Sequence, residues 1–210
     1  MSSDDIRAYT RLRPVPFVPE VLLYQADEPI ALWEATEACG AAERPPPFWA
    51  FAWAGGQALA RHILDEPDLV DGRDVLDLAS GSGLVAIAAA KAGASPVTAN
   101  DVDPLSLTAV AANAEANQVA VRLIEGDLLR TDDRYGVILA GDVFYSREMS
   151  GRVLPFLRRA AARGSLVLVG DPGRAYLPTG LIKRVSYDVP VSEALESVPV
   201  RNTTVWQVVG

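Results

Sequence analysis

The stretch Asp74-Val75-Leu76-Asp77-Leu78-Ala79-Ser80-Gly81-Ser82-Gly83-Leu84-Val85-Ala86 decides the fold. Its first five residues form a short, mostly apolar run that ends in glycines, as a buried parallel strand does where it turns into a helix. Leu84 to Ala92 then continues as an apolar crossover helix. Gly81-Ser82-Gly83-Leu84-Val85-Ala86 has the G-x-G-x-x-A form of a nucleotide-binding turn, in which glycine lets the backbone approach a ligand closely.

Working outward, the same alternation repeats. Pro96 to Asn100 predicts a second strand and Pro104 to Asn117 a second helix, with the proline at an acceptable first-turn position. Val121 to Glu125 and Tyr135 to Ala140 read as strands, Met149 to Ala162 as a helix and Ser165 to Gly170 as a further strand. Strands alternating with helices predict an α/β chain with a doubly wound, mostly parallel sheet. Beyond Pro178, Lys183 to Val189 and Thr203 to Val209 are β-rich, which predicts an antiparallel edge hairpin and a seven-strand sheet in all. Upstream, Gly56 to Leu64 predicts a helix, Val21 to Gln25 a strand and Ile30 to Ala38 a helix, before Pro45-Pro46-Pro47 breaks the pattern. Residues 1–44 therefore read as an N-terminal extension packed on the core, and 45–210 as the main domain.

Composition narrows the function. With 210 residues, 50% of them hydrophobic, the chain can bury one sizeable core. Nineteen Lys and Arg against 27 Asp and Glu give a net charge of −8, which argues against a surface built to neutralise nucleic-acid phosphates. A lone Cys39 forms no internal disulfide, and with His62 as the single imidazole no zinc-type cluster and no metal are expected. His62 itself reads as an exposed or capped histidine without a role. Met1 to Glu20 has no apolar core of a secretory signal, so a cytoplasmic location is expected. The longest apolar run, Leu84 to Ala90, is far below the roughly 20 residues of a membrane-spanning helix.

The glycine turn alone fits a nicotinamide enzyme as well as a methyltransferase. Asp77, four residues before Gly81, separates them: a carboxylate there repels a pyrophosphate, but can hold the ammonium of S-adenosyl-L-methionine, directly or through water. Ala79, Gly81 and Gly83 would shape the cradle around the methionine portion. Asp101, 20 residues past Gly81, is placed to accept the ribose hydroxyls. Asp127, with Leu128 beside it, is placed to accept from the adenine amino group. The plainer reading of these acids is strand closure and helix capping, as Asp103 before Pro104 does.

Asp142-Val143-Phe144-Tyr145 leaves the fourth strand on the same carboxyl edge and is the candidate acceptor site. A lysine acceptor, whose side chain in water holds its proton up to a pKa of about 10.4, must shed that proton and be oriented before methylation. Asp142 can do either, while Phe144 and Tyr145 can exclude water and meet cationic character with their π faces. Core aromatics at a strand end are the alternative. In Phe48-Trp49-Ala50-Phe51-Ala52-Trp53-Ala54-Gly55-Gly56, Phe48 and Phe51 read as core, Trp53 as a candidate wall of the cofactor pocket and Trp49 as a candidate substrate contact.

From Pro47 to about Pro178 the sequence resembles the seven-strand lysine methyltransferases that modify the β-subunit of electron transfer flavoprotein. The resemblance is carried by the Phe48–Gly56 and Asp77–Gly83 segments, Ala99-Asn100-Asp101-Val102-Asp103-Pro104, Gly141-Asp142-Val143-Phe144-Tyr145 and Gly170-Asp171-Pro172-Gly173-Arg174. It implies a class I methyltransferase domain using S-adenosyl-L-methionine and releasing S-adenosyl-L-homocysteine. It also implies cofactor binding by Trp53, the Gly81 loop, Asp101 and Asp127, a D-x-x-Y motif of Asp142 and Tyr145 at the acceptor channel, and a protein partner presenting a lysine. Ser146-Arg147-Glu148 departs from the acid that often follows the tyrosine in this family. Ribosomal-protein methyltransferases share much of the same core. Methylation of a small amine, and a non-catalytic binding module on the same fold, are the other readings.

Overall fold

The central strands are short and buried on both faces because helices cover both sides of the sheet. The computed structural model describes residues 3–27, 32–33, 46–131, 134–192 and 196–210. In chain order, helix α1 (Ser3–Tyr9) precedes a hairpin of β1 (Arg11–Val15) and β2 (Val18–Gln25). A 3-10 turn at Phe48–Ala50 leads into α2 (Ala54–Asp65). The alternation then runs β3 (Val75–Leu78), α3 (Leu84–Lys91), β4 (Val97–Asp101), α4 (Pro104–Ala116), β5 (Arg122–Glu125), β6 (Val137–Gly141), α5 (Arg147–Ala162) and β7 (Leu166–Asp171). Strands β8 (Ile182–Pro190) and β9 (Val200–Gln207) follow.

The seven-stranded sheet has the order β5-β4-β3-β6-β7-β9-β8. β3 pairs in parallel with both β4 and β6, and β7 extends the parallel set, while β9 runs antiparallel between β7 and β8. This is the expected doubly wound α/β sheet with its antiparallel hairpin. Successive residues of each strand serve opposite faces. Val75, Val97, Ala99, Val137 and Leu139 join α2 and α3 in one core, whereas Leu76, Leu78, Ile138, Ala140 and Val167 meet Val153, Phe156 and Leu157 of α5 in the other.

The chain builds outward from β3 to β5, then crosses back to β6, so the strand order reverses between β3 and β6. A crevice at the carboxyl ends of such a reversal is where open α/β sheets bind ligands. Asp103 fixes the start of α4 by accepting from Leu105 N at 2.9 Å.

The amino-terminal hairpin holds more structure than the expected strand at Val21 to Gln25. β1 gives a weak strand signal because Arg11-Leu12-Arg13-Pro14-Val15 carries two cations and a proline; an outer ribbon tolerates both. Val15, Val18, Val21 and Leu23 pack with Ala60, Leu84, Ile87 and Ala88. Asn117, capping α4, and Asn113 within it accept from Leu22 N (3.0 Å) and Tyr24 N (2.8 Å), and Asn113 Nδ2 donates to Ser82 O at 2.8 Å. The hairpin is thereby tied to the glycine loop. Apart from residues 32–33, the helix expected at Ile30 to Ala38 lies outside the described residues. Among the described residues no helix is long and apolar enough to cross a membrane.

Candidate active site

The loop after β3 turns through three left-handed residues, Ala79, Gly81 and Gly83, with φ of 55°, 52° and 78°. At Gly83 the requirement for glycine is also steric, since a Cβ would sit 2.9 Å from Val110 Cγ1 of α4. Gly81 N–H donates to Asp101 Oδ2 (2.9 Å) and Asp103 N–H to Asp101 Oδ1 (3.0 Å). The carboxylate at the end of β4 is therefore aimed at the loop. Burial pushes the Asp101 carboxyl above the usual range, against the pull of these N–H groups.

A cleft of about 490 Å³ opens over this carboxyl edge; Ala79, Gly81, Asp101, Asp142, Tyr145 and Trp53 all line it. A smaller cavity of about 80 Å³ adjoins it, sharing Ala79, Asp101, Met149 and Arg152 and adding Leu78, Asp127 and Leu128. Asp127 is engaged there: Leu129 N–H donates to Oδ1 at 2.8 Å and Arg152 Nη2 lies 2.6 Å from Oδ2.

On the far side of the cleft, Asp142 follows β6 with a φ of 56°. Its Oδ2 accepts from Gly56 N at 2.9 Å, and Arg174 Nη2 lies 3.0 Å from its Oδ1. This meeting depends on glycine at the start of α2, because a Cβ on Gly55 would lie 2.2 Å from Gly170 O and 2.6 Å from Asp142 Oδ2. Burial pushes the Asp142 carboxyl up to about 6, with Arg174 opposing the rise. Tyr145 is 53% exposed, and burial of the rest of the side chain raises its phenol pKa. Phe48 joins the rings into one wall, its centre 6.0 Å from Tyr145 and 5.9 Å from Trp53. Trp53 Nε1 donates to Phe48 O at 2.9 Å, which fixes the indole.

Several expectations are corrected here. Trp49 and Phe144 are fully buried, Trp49 beside Ile6, Leu105 and Ala109, Phe144 in the cluster under α5. Neither lines the cleft, so neither is placed to touch a substrate. Phe48, read as core, is 44% exposed and does line it. In one 3-10 turn adjacent side chains point in different directions, and sequence alone does not reveal which ring faces inward. Asp77 is buried in β3, accepts from Ala86 N at 2.9 Å and does not line the cleft. Burial pushes its carboxyl up to about 8, and it anchors the first turn of α3 through Ala86 N–H. Gly83 serves packing rather than the lining. His62 is buried in α2, and burial lowers its pKa. Sequence reasoning gives no role to Arg174, which enters only within the Gly170–Arg174 segment of the resemblance, or to Glu196, whose pairing with it across 22 residues leaves no local signal.

The "Ribosomal protein L11 methyltransferase (PrmA)" family model matches residues 58–141. A Xenopus laevis "Electron transfer flavoprotein beta subunit lysine methyltransferase" is 39% identical over 168 residues, covering 76% of this chain and 68% of the relative. The Homo sapiens protein of the same name is 38% identical, covering 76% of this chain and 64% of its own length. The chain belongs to the electron transfer flavoprotein β-subunit lysine methyltransferase family. It spans about two thirds of the length of these relatives. Among solved structures, the ribosomal protein L11 methylase of Lactobacillus delbrueckii subsp. bulgaricus aligns with a TM-score of 0.53 at 21% identity, covering 74% of this chain and 79% of that one. Magnesium protoporphyrin IX methyltransferase from Synechocystis PCC 6803 with bound SAM aligns at 0.53 and 16% identity, covering 72% and 77%. These likenesses show that the chain shares the fold of these methyltransferases.

Proposed function

We propose that the chain is an S-adenosyl-L-methionine-dependent protein-lysine N-methyltransferase acting on the electron transfer flavoprotein β-subunit, the substrate in its relatives' names. The observation that carries this reading is the union, in one cleft, of Gly81 and Asp101 with Asp142 and Tyr145. In this reading residues 1–44 are an extension on a methyltransferase domain of residues 45–210. The single cysteine supports a reducing, cytoplasmic setting, and the net charge of −8 supports a protein rather than a nucleic-acid partner.

The residues present fit the cofactor. A cleft of about 490 Å³ is of the size that small-molecule sites have. Gly81 leaves open space, a Cβ there meeting only Trp49 Cα at 4.0 Å. Asp101, held by two N–H groups, keeps lone pairs for ribose hydroxyls. Asp127 and Leu128 in the adjoining cavity would hold the adenine. Bound there, the cofactor supplies an electrophilic methyl group on a sulfonium.

This chain's own residues then manage the acceptor. Asp142, ionised above about pH 6, attracts and orients the lysine ammonium and takes the proton it sheds. The cofactor, held by the Gly81 loop and Asp101 with Asp127 and Leu128, would supply its methyl group to the neutral amine that Asp142 orients. Phe48, Trp53 and Tyr145 exclude water and face the cation with aromatic surfaces. The match to the ribosomal protein L11 methyltransferase family favours, as a second reading, a ribosomal-protein acceptor.

A labelled-methyl assay on cell extract tests the proposal: the electron transfer flavoprotein β-subunit should take up label only when the enzyme is added. Label on a ribosomal protein selects the second reading, and label on small amines alone rejects both.

A further inference from the structure

Asp142 is a nearly buried carboxylate on the cleft wall, its side chain 11% exposed, and such a group needs a cation to stay charged. Arg174 provides it, with Nη2 at 3.0 Å from Asp142 Oδ1 and 2.8 Å from Glu196 Oε1. Arg174 is itself fixed. Asp171, ending β7, accepts the Arg174 and Gly173 N–H groups at 2.8 and 2.7 Å, and the guanidinium lies 5.8 Å from the centre of the Trp53 ring. Glu196, on the segment before β9, has 5% side-chain exposure and also meets Arg201 Nε at 3.3 Å. The other groups facing Asp142 are the Gly56 N–H from α2 and the Asp171 carboxylate from β7.

We propose that Arg174 and Glu196 are positioning residues for methyl transfer: Arg174 holds Asp142 as an oriented carboxylate, and Glu196 sets the strength of that hold by competing for the same guanidinium nitrogen. The inference rests on the reading of Asp142 as the group that meets the acceptor. A nitrogen shared between two carboxylates gives each less than its full attraction. Neutralising Glu196 therefore tightens Arg174 on Asp142 and removes a nearby negative charge. Removing the Arg174 cation leaves Asp142 with one N–H and the like charge of Asp171.

The test uses Arg174→Met, Arg174→Lys and Glu196→Gln. The Asp142 carboxyl is titrated by carbon NMR in the protein without cofactor, its signal assigned by loss in Asp142→Asn, and kcat is followed against pH at saturating cofactor and acceptor. Arg174→Met should move the Asp142 titration and the acid limb of kcat upward by about one pH unit or more. Arg174→Lys should recover part of that shift. Glu196→Gln should move both downward, a direction that loss of stability does not produce, and it carries the test if Arg174→Met fails to fold. Wild-type methyl transfer with an unmoved Asp142 titration, or equal loss of rate at every pH, overturns the positioning role. Titration shifts as expected in a wild-type protein that transfers no methyl group leave the grip on Asp142 intact and sink the functional reading.

Discussion

The backbone N–H of Gly81 donates to Asp101 Oδ2 across 2.9 Å, so the loop after β3 and the end of β4 form one unit. In the proposed reading, the carboxylate that fixes the loop is also the one offered to a ribose. Asp101→Ala should therefore weaken S-adenosyl-L-methionine binding by about 1–3 kcal/mol while leaving the fold intact. Calorimetry checks it, and an unchanged dissociation constant would mean that the ribose lies elsewhere.

Gly83 combines a φ of 78° with a Cβ position 2.9 Å from Val110 Cγ1. Alanine there must both hold a left-handed backbone and displace a buried valine, at a cost of about 1–3 kcal/mol. Thermal denaturation of Gly83→Ala should show a midpoint lower by several degrees. An unchanged midpoint would contradict the close approach of α3 and α4.

Asp77 makes a pH-dependent prediction. Its carboxyl is pushed up to about 8 by burial, against 3.8 for the carboxyl in the unfolded chain. Between those values the folded chain keeps a proton that the unfolded chain has lost, so stability falls as pH rises through this window. Asn cannot titrate and still offers Ala86 N–H an oxygen. The melting midpoint of Asp77→Asn relative to wild type should climb from about pH 4 to about pH 8 and then level off. A difference that stays constant across the window would place the ionised form in the folded core.

Asp142→Asn preserves shape but can neither attract an ammonium nor take its proton. At saturating cofactor its turnover should fall at least roughly tenfold, and that of Tyr145→Phe should fall less. Full turnover together with a raised cofactor dissociation constant would assign Asp142 to the methionine end of the cofactor.

Much of this arrangement is legible in the sequence because its signals are local. β6 and β7 are continuous apolar runs closed by glycine or acid, β3 is apolar but for Asp77, and Gly81, Asp101, Asp142 and Tyr145 sit at or just beyond strand ends, which topology alone gathers on one edge. What stays hidden depends on contacts distant in sequence or on rotation within one turn. β1 is a cationic, proline-containing ribbon whose burial comes from α2 and α3. Phe48 and Trp49 are neighbours with opposite fates. Asp77 looks like an exposed strand-end acid until Ala86 N–H draws it inside. Arg174 and Glu196 become partners only once β7 and β9 are adjacent.

If this one cleft places a methyl group on a lysine of a partner protein, the most direct measurement is the intact mass of purified electron transfer flavoprotein β-subunit after incubation with the enzyme and S-adenosyl-L-methionine. The expected result is a gain of one or more methyl groups, abolished when the acceptor lysine is replaced and strongly slowed in Asp142→Asn. An unchanged mass, from an enzyme that calorimetry shows to bind the cofactor, would contradict it.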